Sequence, residues 1–532
     1  MIFLPLIVLG IENIINKMNG WLYTVSLTLM LYSNYFIGYM ICIFSCIYFV
    51  SYLILKTDKI VIKDILKQCG LFAICSLISG ALNAWELIPM YDSLKTTNAT
   101  TGTMPLSQYY SFEIIDFLKN HLTGVNTTVL SSDLYNLPNI SCGILSVALF
   151  FTFLITKKIP LKTKIVYTSI LIILLLSFYF GPLDYIWHGF HVPNDLPFRY
   201  SFIYSFVLII TNSYVLINIK DISIKEVIIS YMLSMLYITF VYLSNFENIT
   251  NDMIIFNYIL ITIYFIIYIL YYYFPKFRKI FCVLFLVVIS VECVVSVNNN
   301  WDIAQYIEDF YYDYNDIHAA LISIDKKDEN LFYRIEKKDN LTLNDGAWYD
   351  YYGQSIFSSM AYNDLSVLNN NLGMPGNYIN SYYYKQNTPI YDLMFNIKYQ
   401  IGENNDENRY ELFRDKNGIK VYKFNYTTGL MFGVNETIKD FEFYGSNPFE
   451  YQNEFIKNTT NIDNVLFEIL PINEEILYYG EYETISKMTY SNYNENIYIH
   501  PGNSEINYII IGDSIYYKSN FNIDELNFED DI

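Results

Sequence analysis

The sequence predicts a polytopic α-helical membrane domain followed by a mixed α/β domain, and three observations carry that prediction. Of 532 residues, 53% are hydrophobic and only 16% charged, with a mean hydropathy of +0.23, too apolar for a soluble chain of this length. Apolar runs of bilayer-crossing length recur through the first part of the chain and stop before Asn298. The net charge of −20 is unevenly placed. About forty of the 53 Asp and Glu residues follow Asn298, so the acidity belongs to the C-terminal part. Residues 1–297 are read as a transmembrane domain of about ten spans and residues 298–532 as a polar α/β domain. The acidic balance argues against nucleic acid as a partner.

The spans fall at 2–16, 21–33, 36–55, 69–90, 139–156, 165–181, 200–218, 226–245, 253–274 and 280–297, the first two being short. Their connections alternate in charge. One set carries Lys17; Lys56, Lys59, Lys63 and Lys67; Lys157, Lys158, Lys162 and Lys164; Lys220 and Lys225; and Lys276, Arg278 and Lys279. The other set carries Lys95, Lys119 and Arg199. That asymmetry places the first set in the cytoplasm. Strict alternation then puts residues 34–35, 91–138, 182–199, 246–252 and everything after 298 outside, making the C-terminal domain extracytoplasmic. The short runs flanking Ser33-Asn34-Tyr35 form a tight hairpin or a re-entrant element.

Residues 91–138 form a polar external loop. Within it FEIIDFLKNHL (112–122) has helical spacing, and an interfacial helix and a plain connection are both open readings. All seven cysteines (Cys42, Cys46, Cys69, Cys75, Cys142, Cys282, Cys293) lie in the apolar part, with no metal-type spacing. The polar part must therefore be held by packing and not by disulfides. The N-terminus, MIFLPLIVLGIENIINK, lacks a basic leader and a small-residue cleavage site. It begins inside an apolar run, which points to a chain that enters a larger architecture partway through.

Past Asn298 the pattern changes. Residues 302–326 read as a helix capped by Asn300 or Asp302, 332–336 as a strand, and 355–373 as a helix ended by Gly373. YELFRDKNGIKVYKF (410–424) is a hairpin with its turn at Asn417-Gly418. A short helix follows at 447–458, and alternating apolar residues from 464 onward suggest a small all-β portion.

The chemistry concentrates in residues 182–206, PLDYIWHGFHVPNDLPFRYSFIYSF, a short polar insert holding two of the five histidines. Trp and Tyr belong at a membrane interface, and Pro193 and Pro197 break helices, so a scaffold role is open. A functional role is equally open. His188, His191, Asn194 and Arg199 within twelve residues make an anion site, because Arg offers a planar fork of donors and His donates or shuttles protons. Asp184 stands at the loop edge, able to orient a histidine. On an outer membrane face the matching anion is the phosphate of a lipid carrier.

Other carboxylates in or beside spans are Glu12, Glu86 and Glu292. Snorkelling explains the first two; Glu292, apolar on both sides, is the hardest to dismiss as structural. The tyrosines Tyr349, Tyr351, Tyr352, Tyr378, Tyr382, Tyr383 and Tyr384 would suit sugar stacking, but with 54 Tyr in the chain ordinary strand preference is the favoured explanation. P-loop, GxGxxG, GxSxG and HExxH motifs are absent, so nucleotide-driven transport and those hydrolase chemistries gain no support. A transporter would need paired intramembrane charges and internal repeats, and neither is found.

The HGF-x-x-PN-x-x-P-x-RYSF block within 185–206 resembles a signature of the bacterial YfhO membrane-protein family. LPLIVLGIENII (4–15), SNYFIGYMICIFSCIYF (33–49), LPNISCGILSV (137–147), YRIEKKDN (333–340), SMAYNDLSVLNNNLG (359–373), NTPIYDLMFNIKYQIG (387–402) and NPFEYQNEF (447–455) resemble its other blocks, in order. The resemblance implies a GT-C-like polytopic fold and a glycosyltransferase of the cell membrane. Such an enzyme moves a sugar from a polyprenyl-phosphate carrier to an envelope polymer such as lipoteichoic acid on the outer face. On that scheme His188, His191 and Arg199 stabilise the departing lipid phosphate. The external loop that carries the catalytic carboxylate in GT-C enzymes has no counterpart in this chain, so a truncated form is expected and the catalytic residue is unassigned. The expected partners are the carrier-linked sugar, the polymer acceptor and membrane lipid, with no cofactor and no metal. The alternative is a non-catalytic envelope-assembly or lipid-carrier-binding protein.

Overall fold

A computed structural model describes residues 1–56, 61–98, 112–128, 137–193, 196–246, 248–299, 306–328, 330, 332–385, 387–404, 408–443, 445, 447–463 and 465–468, and the backbone of strands within 473–526. The chain divides into two compact units: residues 1–92 with 101–304, and 93–100 with 305–532.

The first unit is helical. Its elements are α1 (Leu4–Lys17), α2 (Trp21–Ser33), α3 (Tyr35–Lys56), α4 (Ile62–Leu82), α5 (Ala84–Leu94), α6 (Ile144–Ile155), α7 (Leu161–Tyr179), α8 (Gly181–Trp187), α9 (Ser201–Ile217), α10 (Ile224–Leu243), α11 (Asn251–Tyr273) and α12 (Arg278–Asn299). Each of the ten expected spans has a helix. Six of these are long and apolar enough to cross a bilayer: α3, α4, α7, α10, α11 and the helix through α12. The other four are shorter, at 14, 13, 12 and 17 residues for α1, α2, α6 and α9. The ten runs thus form six helices of crossing length and four shorter helices among the described residues, because apolar length in the sequence does not reveal where capping cuts a helix.

Two cuts have visible causes. The expected span 69–90 is instead α4, which starts earlier and stops at Asn83, whose Nδ2 donates to the carbonyls of Ser79 (2.8 Å) and Thr28 (3.2 Å). The expected span 139–156 begins only at Ile144. At the preceding Gly143 an added Cβ would sit 2.7 Å from Glu292 Oε1, so α12 closes directly on the start of α6. The hairpin reading at Ser33-Asn34-Tyr35 holds: Asn34 Oδ1 accepts from Ile37 N (2.9 Å) and starts α3 at once after α2.

Two apolar clusters build this unit. One gathers buried residues of α1, α2, α3, α7 and α9, among them Ile11, Leu27, Phe44, Leu174 and Val207. The other gathers α6, α10 and α11 through Ile144, Ile238 and Ile261. α12 packs on α11, and its remaining apolar face is exposed, as a lipid-facing helix requires.

Polar contacts show which connections share an end. Tyr48 donates to Glu12 (2.8 Å) and lies 3.3 Å from the Tyr167 hydroxyl, itself 3.4 Å from that of Tyr214. This ladder joins the end of α1, the end of α3, the start of α7 and the end of α9. Lys157 N donates to Glu226 (3.0 Å), joining the connections before α7 and α10 at the same lysine-bearing end. At the opposite end Tyr39, in the second turn of α3, donates to the carbonyl of Ile186 (3.0 Å). The segment 112–122 is neither an interfacial helix nor a plain loop. It forms a 3-10 turn, Asp116–His121, with Phe117, Lys119 and Asn120 buried and His121 Nε2 3.1 Å from the Tyr204 hydroxyl.

The second unit is built on a four-stranded sheet. In chain order its described elements are α13 (Ile307–Tyr311), α14 (Tyr314–Asp325), β1 (Arg334–Lys337), α15 (Asp345–Tyr349), β2 (Ile356–Phe357), α16 (Asn363–Asn371), β3 (Ser381–Tyr382), α17 (Pro389–Phe395), β4 (Ile397–Ile401), β5 (Tyr410–Lys416), β6 (Ile419–Phe424) and α18 (Pro448–Thr460). The sheet order is β1-β4-β6-β5, with β1 parallel to β4 and the rest antiparallel. The strand at 332–336, the Asn417-Gly418 hairpin and the helix at 447–458 all form. The expected helix 355–373 is shortened to α16, because Ile356–Phe357 pairs with Ser381–Tyr382 instead. The expected helix 302–326 is split at Tyr312-Asp313; its proposed caps, Asn300 and Asp302, lie outside the described residues. Short antiparallel pairs occupy 473–526.

One face of the sheet is apolar. Ile335, Tyr399, Ile401 and Val421 pack against Ile317, Ala320 and Ile324 of α14. On the other side of β4, Gln400 joins a buried polar layer. The Asp392 carboxyl accepts from Tyr384 (3.0 Å), Asn387 (2.7 Å), Gln400 (3.0 Å) and Tyr410. Glu336 accepts from the backbone and hydroxyl of Ser355 (both 2.9 Å) and from Gln354 N.

Candidate functional site

The insert between α7 and α9 is shaped by a helix stop. Pro182 opens α8, and α8 ends with His188 as its C-cap. Gly189 follows at φ +73°, with Gly189 N bonded to Ile186 O (3.2 Å) and Phe190 N to Tyr185 O (2.9 Å). Those two bonds are the Schellman pattern, in which a left-handed residue after the cap satisfies the last carbonyls. The glycine of the HGF triplet is there for the backbone. Phe190, Leu196 and Phe198 also have φ between +53° and +63°, a concentration of left-handed non-glycine residues that stores strain in this short loop.

Aromatic stacking clamps the loop at both ends. Trp187 stacks on Tyr200 (4.6 Å between centroids, 9°), and Tyr200 stacks on Phe178 (4.9 Å, 22°). Tyr39 holds the Ile186 carbonyl from α3. Large buried rings fix the geometry where a polar loop alone would not.

Within this clamp His188 is buried, with a relative exposure of 1%. Its Nδ1 lies 3.0 Å from the Asp184 carbonyl oxygen and 3.3 Å from Asp184 Oδ1. The carbonyl oxygen can only accept, so Nδ1 carries a proton. The ring's Nε2 is buried and has no hydrogen-bond partner among the described residues; the same holds for Nδ1 of His191. His191 is half-buried, and burial, with the His188 imidazole and the Arg199 guanidinium beside it, holds its pKa below the ordinary value. Arg199 is exposed. Its guanidinium lies 5.1 Å from the Phe36 ring centre, and its Nε donates to Leu196 O (3.2 Å). The Phe36 ring also lies 6.2 Å from that of His188.

Of the residues singled out in the sequence, Asp184, His188, His191 and Arg199 converge at one end of the bundle, and Asn194 lies outside the described residues. Sequence reasoning missed Tyr35, Phe36 and Tyr39. Their signal was present as an aromatic triplet in the first turns of α3, but only packing shows that it meets the loop.

The model for the family described as bacterial membrane protein YfhO matches residues 1–514. This chain belongs to the YfhO family. No curated protein and no solved structure matches it. The YfhO match takes in both units and the whole clamped loop, and it makes the chain a bacterial membrane protein.

The remaining candidates in this YfhO-family chain settle as structure. Glu292 is buried, and its carboxyl accepts from Thr123 Oγ (2.5 Å), Ile144 N (2.7 Å) and Tyr264 OH (2.6 Å). It caps α6. Glu12 belongs to the tyrosine ladder. The tyrosines of the second unit form no common platform: Tyr349 and Tyr384 are buried, bonded to Asp313 (2.7 Å) and Asp392, whereas Tyr352 and Tyr378 are exposed. No group of three metal-ligating side chains occurs among the described residues.

Proposed function

We propose that this protein is a membrane glycosyltransferase of GT-C-like architecture, taking its sugar from a polyprenyl-phosphate carrier and passing it to a cell-envelope polymer such as lipoteichoic acid. The observation that carries the reading is the convergence of Arg199, His191 and His188 at one end of a lipid-embedded bundle, beside the aromatic first turns of α3. An exposed guanidinium flanked by imidazoles suits a phosphate monoester or diester headgroup arriving from the bilayer. We read the loop and the C-terminal unit as extracytoplasmic; the lysine-bearing connections at the other end of the bundle support that reading through the positive-inside rule. In this reading the loop binds the donor phosphate and the C-terminal unit serves the acceptor.

The test is the full chain in lipid nanodiscs, given polyprenyl-phosphate glucose or N-acetylglucosamine with a radiolabelled sugar and purified lipoteichoic acid. Transfer of label, lost in Arg199→Ala, supports the reading. A second reading, a carrier-binding protein without transfer activity, is favoured by the burial of His188. It predicts retention of the labelled donor, lost in Arg199→Ala, with no label passing to the polymer.

A further inference from the structure

We propose that His188, oriented by Asp184, is the general base that takes the proton from the acceptor hydroxyl. This role rests on the glycosyltransferase reading and departs from assigning both histidines to the leaving phosphate. The two imidazoles differ in what they can do. His188 has its Nδ1 proton committed to the Asp184 backbone carbonyl, with Asp184 Oδ1 3.3 Å from the same nitrogen, so in that neutral tautomer Nε2 can only accept. A buried acceptor without a partner is costly to maintain. A hydroxyl that donates to it recovers that cost, and a phosphate oxygen, itself an acceptor, cannot. The Asp184 carbonyl fixes the tautomer, and the carboxylate oxygen 3.3 Å from Nδ1 steadies the imidazolium once formed by its charge. The phosphate falls instead to Arg199, which is exposed, with its guanidinium over the Phe36 ring. The Phe36 ring stands beside both His188 and Arg199.

The step balances. The acceptor O–H bond breaks and its proton moves to His188 Nε2. The oxygen's electron pair forms the new bond to the anomeric carbon from the face opposite the phosphate. The bond from that carbon to the phosphate oxygen breaks, its pair staying on the phosphate beside Arg199. The imidazolium then returns its proton to solvent. The anomeric configuration inverts.

Two measurements separate this role from the function it rests on. Imidazole nitrogen NMR of the full chain in nanodiscs, with the His188 signal assigned by its loss in His188→Gln, reads the tautomer without turnover. A protonated Nδ1 and bare Nε2 are expected. A proton on Nε2 overturns the base assignment whatever the activity. In the transfer assay with polyprenyl-phosphate glucose, His188→Gln should lower kcat by about a hundredfold or more, with donor KM little changed. Asp184→Asn should lower kcat and move its acid limb, whereas Arg199→Lys should raise donor KM.

The charged or titratable groups bearing on that limb are Asp184 from α8, His191 and Arg199 from the loop, Tyr200 at the start of α9, and Tyr35 and Tyr39 from α3. Size-exclusion profiles and melting in nanodiscs check that each variant is folded; a misfolded His188→Gln is replaced by His188→Asn. Full transfer by a folded His188 variant overturns the proposal. Absence of transfer by the unmodified chain overturns the functional reading and the base role with it, and leaves the Asp184–His188 geometry to the NMR result.

Discussion

Oε1 of Glu292, on α12, accepts the backbone N–H of Ile144 at 2.7 Å, so a carboxyl from one end of the membrane unit caps the first turn of α6. A helix start leaves its first amides without internal partners. In a bilayer, water is not there to replace them. Glu292 supplies the missing acceptor and takes two hydroxyl donors as well.

Replacing Glu292 by Ala leaves the buried Thr123 and Tyr264 hydroxyls without that acceptor, each costing about 1–3 kcal/mol, and leaves the Ile144 N–H with Thr123 Oγ1 alone. Glu292→Ala should therefore lower the melting temperature of the chain in nanodiscs markedly. Glu292→Gln, which keeps one acceptor oxygen, should lose much less. Equal losses in the two would show that shape and not hydrogen bonding matters there.

Gly189→Ala probes the stop after α8. An alanine at φ +73° costs about 1 kcal/mol and strains the cap that His188 occupies. The expected outcome is a nearly unchanged melting temperature, with the imidazole nitrogen signal of His188 broadened or shifted.

Arg199→Lys keeps the charge and loses the planar fork that lies over Phe36. Donor affinity, read by retention of radiolabelled polyprenyl-phosphate glucose, should fall about tenfold. Phe36→Leu should fall in the same direction by less, and Phe36→Tyr should restore it.

The second unit should be more stable in mild acid. Burial pushes the Glu336 and Asp392 carboxyls up to about 7 against the hydrogen bonds they accept. Between about 4 and 7 the folded unit then holds protons that the unfolded chain has released, so stability falls as pH rises through that window. Asp328, held below its ordinary value by its hydrogen bonds to Lys398, Asn330 and Tyr399 despite burial, acts in the opposite sense and only at lower pH. Hydrogen exchange of the β4 amides, corrected for intrinsic rates, should show weaker protection at pH 8 than at pH 5.5. Asp392→Asn should flatten the difference.

The sequence made some of this legible. Alternation around Asn417-Gly418 located a hairpin because turn chemistry and strand period agree locally. The cluster His188, His191 and Arg199 was visible because unlike residue types crowd one short loop. The role of Glu292 was not, since its partners Thr123, Ile144 and Tyr264 are far apart along the chain. Nor was the burial of His188: that depends on Trp187 and Tyr200 stacking across the loop, which no local pattern encodes. The start of α6 was misplaced because the group that caps it, Glu292, lies far along the chain and not in the residues just before Gly143.

The shortness of α6 has a mechanical consequence. Twelve residues rise about 18 Å, while the oily slab of a bilayer is about 30 Å deep. α6 meets little of that slab itself: it is enclosed by α9, α10 and α11, with Leu154 its one exposed residue, so the missing depth is made up by protein and not by lipid.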